Sequence, residues 1–255
     1  MPSLKNSLML PQAITLARVK LYQYCQQILP LSCLLCQQGV KAGLVCPTCY
    51  QDLKQTYPHC ERCGLPLASQ QSQCGQCISR PPIFTQLTAC GLFDAPLYQL
   101  IYKLKYQQQA IYSQVLGRLL AEQIRARDDM NPAHPPQALI PVPLHPRKEQ
   151  QRGFNQAQLI ANHSAKQLNI PCQARWLTRV KDTASQTQLN LKQRQKNMQQ
   201  AFAINHLPAG IKHVAIVDDI VTTGATVHSL CKALRHAGVD QIEIWCICRT
   251  PPNRG

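Results

Sequence analysis

The sequence predicts an α/β protein whose parallel sheet follows a small cysteine-rich metal module. Three observations carry that expectation. Strand-like and helix-like segments alternate from about residue 83 onward, which argues for a parallel sheet. Four C-x-x-C pairs crowd the stretch from Cys33 to Cys77. A DDIVTTGAT turn joins a buried-looking strand to a helix. At roughly 100–200 residues per domain, 255 residues accommodate one full domain and a smaller module.

Residues 1–28 are expected to form an amphipathic extension, with Ile14, Ala17, Leu21, Cys25 and Ile28 at helical spacing. The Cys-rich module spans 29–80, and Pro81-Pro82 marks the boundary to the α/β domain at 83–255. LTACGLF (87–93) reads as a strand, and 97–125 as helical. ALIPVP (138–143) is the next strand, followed by the loop LHPRKEQQRG and a helix over 154–168. HVAIV (213–217) and QIEIWCIC (241–248) are strands on either side of a helix bearing Val227, Leu230, Cys231 and Leu234. Gly238 suits the end of that helix.

No apolar run approaches the roughly 18 residues of a spanning helix. Pro11, Arg18 and Lys20 interrupt any signal-peptide core, so the chain is expected to be cytoplasmic. In a reducing compartment, 14 cysteines point to metal rather than to disulfides. Cys33/Cys36, Cys46/Cys49, Cys60/Cys63 and Cys74/Cys77 are separated by nine, ten and ten residues. Two residues between cysteines let one tight turn aim both sulfurs at one ion, so eight cysteines make two closed, structural Zn²⁺ sites. The spacing leaves open whether the pairs combine sequentially or interleave, and a redox use of C-x-x-C is the weaker rival. The remaining cysteines, among them Cys90, Cys172, Cys231, Cys246 and Cys248, read as small buried hydrophobes.

In DDIVTTGAT, Thr222, Thr223, Gly224, Ala225 and Thr226 offer backbone N–H groups at a helix N-terminus, a seat for a phosphate dianion. Asp218 and Asp219 would repel that phosphate. They suit vicinal sugar hydroxyls or a ligand-held Mg²⁺, and the combination implies a ribose 5-phosphate. The position, at the carboxyl end of a strand, is where open parallel sheets bind ligands.

VAIVDDIVTTGAT resembles the phosphoribosyl-pyrophosphate signature of type I phosphoribosyltransferases. LIPVPLHPRKEQQRGFNQAQLIA, RVKDTASQTQLNLKQRQKNMQQAF, LIYKLKYQ, WCICRT and the four cysteine pairs resemble the ComF family, including its GntX-like branch, over about residues 30–250. The resemblance implies a five-stranded parallel core with a small hood (about 172–205), preceded by a double zinc ribbon. It also implies phosphoribosyl pyrophosphate bound with Mg²⁺, a loop near 178–197 that closes over the substrate, and a role in natural competence and DNA uptake. Other competence-machinery proteins become expected partners, and the inner membrane face an alternative location.

A pyrophosphate leaving group needs further cations. Chemistry and resemblance together point to Lys105, Arg147, Arg152, Arg179, Lys181 and Arg194. The formal charge of +15 also suits polyanions. A rival expectation is therefore a non-catalytic single-stranded-DNA-binding protein that keeps the ligand site for regulation. With aromatics at only 5%, its DNA contacts are expected to be mainly to phosphates. No acceptor pocket for the transferase reading is legible in the sequence.

Overall fold

The computed structural model describes residues 31–68, 71–130, 134–180 and 201–251. The expected N-terminal helix, Lys181 and Arg194 lie outside them. The chain divides into two compact units, Met1–Asp52 and Leu53–Gly255. This division falls inside the Cys-rich stretch.

In the first unit, β1 (Leu31–Ser32) and β2 (Gly39–Val40) pair antiparallel, and the short helix α1 (Pro47–Asp52) follows. The second unit opens with the last two cysteine pairs and helix α2 (Gly75–Ser79). Its sheet contains β3 (Gln86–Leu92), β4 (Ala138–Pro141), β7 (His213–Val221) and β8 (Gln241–Arg249), in the order β3-β8-β7-β4 and all parallel. β4 is wholly buried, and β7 and β8 bury the apolar runs Val214–Val217 and Ile244–Cys248, as expected of strands covered on both faces. Parallel pairing brings all four carboxyl ends to one edge of the sheet.

The fifth strand expected from the family resemblance is reduced to a single bridge. Leu139 pairs with Cys172, its N–H donating to Pro171 O (2.8 Å) and its carbonyl accepting from Gln173 N–H (2.8 Å). A proline at 171 has no N–H to extend that ladder. Within the segment expected as a hood, the described residues form a two-stranded pair, β5 (Leu177–Arg179) with β6 (Phe202–Ile204).

One expectation about helices needs correction, and one is refined. The helical segment 97–125 divides into α3 (Leu97–Tyr106) and α4 (Tyr112–Met130). They are separated at a polar Gln-rich junction where Gln108 takes a left-handed conformation (φ 53°). The expected loop after β4 contains a helix, α5 (Pro146–Arg152). His145 caps its N-terminus, Pro146 occupies its first turn, and Gly153 closes it at φ 79°. Asn155 then caps α6 (Gln156–Leu168), and its Nδ2 donates to Val142 O at 3.0 Å, fixing the helix to the end of β4. α7 (Ala225–His236) buries Val227, Leu230, Cys231 and Leu234.

At the amino end of the sheet, Glu243 is buried and fully partnered. It accepts from Arg127 (2.5 Å), Trp245 (2.9 Å) and His213 (3.0 Å). Burial by itself raises a carboxyl pKa. Here the bond to His213 and the Arg127 charge outweigh it, and Glu243 falls to about 2. Among the described residues, no helix is long and apolar enough to cross a membrane.

Candidate functional site

The cysteine pairs combine sequentially. Cys33, Cys36, Cys46 and Cys49 form one group, and Cys60, Cys63, Cys74 and Cys77 the other, with all ligand atoms of each group within 4.8 Å of one another. A tetrahedral Zn²⁺ with Zn–S bonds of about 2.3 Å needs sulfurs about 3.8 Å apart. Cys36 and Cys46 sulfurs lie 3.9 Å apart, and Cys63 and Cys74 sulfurs 3.7 Å. Both groups therefore fit Zn²⁺, with no open position for catalysis.

The two groups share one hydrogen-bond plan. The Cys46 N–H donates to Cys33 Sγ at 3.3 Å, and the Cys74 N–H donates to Cys60 Sγ at 3.3 Å. Burial raises both thiols, but such backbone donors win and lower Cys33 to about 6 and Cys60 to about 7. Hydrogen bonding among the sulfurs raises Cys49, and burial raises Cys63 and Cys77. Thiolates are the form that binds metal. Of the scattered cysteines, Cys90, Cys231, Cys246 and Cys248 are buried and Cys172 is half-buried. Burial pushes Cys231 and Cys248 up to about 12, which makes them inert packing residues.

The acidic pair lies near the carboxyl end of β7, which is longer than the expected HVAIV and includes both aspartates. Asp219 is only 7% exposed, and its Oδ2 sits 2.7 Å from Lys105 Nζ on α3. Asp218 Oδ1 accepts the Asp219 N–H at 2.8 Å. Desolvation, then the neighbouring Asp219 charge, pushes the Asp218 carboxyl well above the usual range, with Lys105 only partly opposing.

The turn that follows leaves its groups open. Thr222, Thr223 and Ala225 are exposed, and Gly224 adopts φ 76° as the N-cap of α7. A β-carbon at Gly224 would meet nothing within 4 Å, so the glycine serves the left-handed backbone and not close packing. A side-chain bond reaches this helix start from Ala225 N–H to Thr223 Oγ1, a long 3.4 Å. A helix N-terminus with open N–H groups beside two carboxylates can seat a phosphate while the acids face hydroxyls.

The basic candidates separate. Lys105 joins the acidic pair directly. Arg152 lies 5.7 Å over the Tyr106 ring and donates to Gln156 Oε1 (3.1 Å). Arg147 is exposed in the first turn of α5, and Arg179 stacks on Phe202 in the hood at 5.5 Å. Arg147 and Arg152 form no ion pair with Asp218 or Asp219.

Two features escaped the sequence reading. Arg249, at the end of β8, is buried and donates to Val221 O (2.9 Å), Thr222 O, Thr250 O (2.8 Å) and Cys63 O (3.1 Å). Tyr98, Tyr102 and Tyr106 stand exposed at i, i+4, i+8 on α3 beside exposed Phe93. The spacing of these tyrosines was visible; their outward direction depends on Leu97, Leu100, Ile101 and Leu104 taking the core side.

Comparison with known proteins matches this architecture. The double zinc ribbon domain matches residues 24–78, and the phosphoribosyl transferase domain matches residues 155–254. The chain is 34% identical over 224 residues to competence protein F of Haemophilus influenzae, covering 85% of this chain and 96% of that protein. It is 32% identical over 223 residues to the DNA utilization protein YhgH of Salmonella typhimurium, covering 87% and 98%. Competence protein ComFC of Bacillus subtilis is 24% identical over 204 residues, covering 76% and 79%. With its paired Cys₄ ribbon and its phosphoribosyltransferase-type sheet and loop, the chain belongs to the ComF family of competence and DNA-utilization proteins.

Proposed function

We propose that this protein binds phosphoribosyl pyrophosphate with Mg²⁺ at Asp218, Asp219 and the Thr222–Thr226 loop, and that it serves the use of DNA taken up in competence as a phosphoribosyltransferase. The carrying observation is the acidic pair, half-buried Asp218 and buried Asp219, a few residues before an open, glycine-capped start of α7. The loop supplies the 5-phosphate seat, and the two acids supply acceptors for ribose hydroxyls. Lys105 already engages one Asp219 oxygen, so the pair is better suited to hydroxyls and a ligand-held Mg²⁺ than to binding a metal ion alone. Arg147 and Arg152 on α5, with Lys181 and Arg194, are proposed to meet the pyrophosphate. The test is calorimetry on Asp218→Asn/Asp219→Asn. At about 1.5–3 kcal/mol per lost charged hydrogen bond, affinity falls at least about tenfold; equal binding refutes the assignment.

A second reading, single-stranded DNA as a partner, is favoured by the outer face of α3. There Tyr98, Tyr102, Tyr106 and Phe93 offer four exposed rings, with Arg152 over Tyr106. Lys103 lies between them on the same helix, which carries no acidic residue. Interleaved rings and cations form a stacking platform for unpaired bases, worth about 1–3 kcal/mol per base. Anisotropy with an oligothymidylate should show weaker binding by Tyr98→Ala/Tyr102→Ala/Tyr106→Ala and an unchanged salt slope, because stacking releases no counterions. Unchanged affinity would remove this face from consideration.

A further inference from the structure

Arg249 is an unusual investment for a strand end. The residue is 7% exposed, and among the described residues no carboxylate pairs with it. All four acceptors are backbone carbonyls, and they belong to two different places. Cys63 supplies one from the second Cys₄ group; Val221 and Thr222 supply two from the ligand loop. The fourth, Thr250 O, follows Arg249 in the chain. The guanidinium is planar and its donors are fixed relative to one another, so a shift at Nε displaces Nη1 as well. Four thiolates on one Zn²⁺ carry a formal charge of −2, and a buried cation bonded to a ligand's own carbonyl compensates it.

We propose that Arg249 is a positioning residue that couples the second Cys₄ site to the ligand loop, so that a metal ion at Cys60, Cys63, Cys74 and Cys77 and an anion at Thr222–Thr226 strengthen each other's binding. Metal fixes the Cys63 carbonyl, that carbonyl fixes the guanidinium, and the guanidinium fixes the Val221 and Thr222 carbonyls. The N–H groups that follow then point outward together. Linkage makes the effect reciprocal, so an anion on the loop also retains the metal. The anion half rests on the phosphate-seat reading above; the metal-to-loop half does not.

The experiment uses the full zinc-loaded chain and compares wild type with Arg249→Gln. Two quantities are measured without any ligand: zinc release to a metallochromic chelator, and hydrogen exchange of the amides at 220–226. Supporting coupling, one of the two zinc ions leaves at least about tenfold faster in the variant, and exchange at 222–226 accelerates. Wild-type values for both overturn it. So does faster zinc loss with unchanged loop exchange, which would assign Arg249 to the metal site alone. Should Arg249→Gln give no soluble protein, Arg249→Lys keeps the charge, removes the fork and is judged by the same criteria. In wild type, phosphoribosyl pyrophosphate or inorganic phosphate should slow the release of that same zinc. If neither binds at all, the phosphate-seat reading fails while the ligand-free measurements still decide the coupling.

Discussion

The two Cys₄ groups have the same spacing and the same N–H···Sγ plan, but the fold uses them differently. In the first, Cys33 is buried while Cys36 is exposed and Cys46 and Cys49 are half-buried, on a ribbon of two-residue strands. In the second, Cys60, Cys63 and Cys77 are buried in the same apolar cluster as Leu87, Ile140, Val221, Leu230 and Ile244. Leu65, Leu67 and Ile83 pack against that cluster as well. Ligand spacing thus encodes the geometry of a metal site but not which part of the molecule depends on it.

The strongest way to break this contrast is to remove one cysteine from each group. Cys60→Ser should unfold the Leu53–Gly255 unit, because structural Zn²⁺ contributes about 10–16 kcal/mol, comparable with a domain's entire stability of about 5–15 kcal/mol. Cys46→Ser should leave the near-UV signal of Trp176 and Trp245 intact. Equal loss of that signal in both variants would erase the distinction.

Acid probes the same two units by another route. The first unit has no buried carboxylate among its described residues, whereas the second has Glu243. Its folded pKa of about 2 lies below the ordinary value of 4.5, so its stabilisation is present above about 4.5 and lost as pH falls towards 2. At 1.36 kcal/mol per unit, that is about 3 kcal/mol. Denaturant melts at pH 7 and pH 3 should show wild type losing more stability than Glu243→Gln, with metal loss common to both. A smaller loss in wild type would contradict the assigned network.

A finer test compares one glycine near each group. Gly43 (φ 83°) and Gly64 (φ 68°) are both left-handed, so alanine costs about 1–2 kcal/mol at either. At Gly43 a new methyl meets nothing within 4 Å; at Gly64 it would lie 2.6 Å from Cδ2 of buried Leu87. Gly64→Ala should therefore be worse by about 1–3 kcal/mol in thermal melts of the zinc-loaded protein. Equal shifts would show that Leu87 yields.

Much of this was legible in the sequence because it is local. The eight ligands, the four core strands, the Asp218–Thr226 loop and the α7 core face all follow from spacing and periodicity over a few residues. What was missed depends on distant chain segments meeting. The Lys105–Asp219 pair spans two elements with no shared motif, and Arg249 reads as the last residue of an apolar strand. The Gln107–Gln109 run did carry a signal for the break between α3 and α4, hidden by apolar residues that recur on both sides. Pro146 and Gly153 likewise bracket α5 with ordinary start and stop residues.

The outer edge of β3 gives the second metal site one more consequence. Among the described residues, that edge has no neighbouring strand. It is covered instead by Leu87 N–H donating to Arg62 O (3.0 Å) and Leu92 N–H donating to Gln55 Oε1 (2.8 Å). Arg62 lies between Cys60 and Cys63, so the segment that clothes the edge is held in place by the metal site. Stripping zinc would then bare a row of strand donors and acceptors, a template for joining another chain. The hazard of metal starvation for this protein is self-association that grows with concentration, with this sheet edge among the surfaces laid bare.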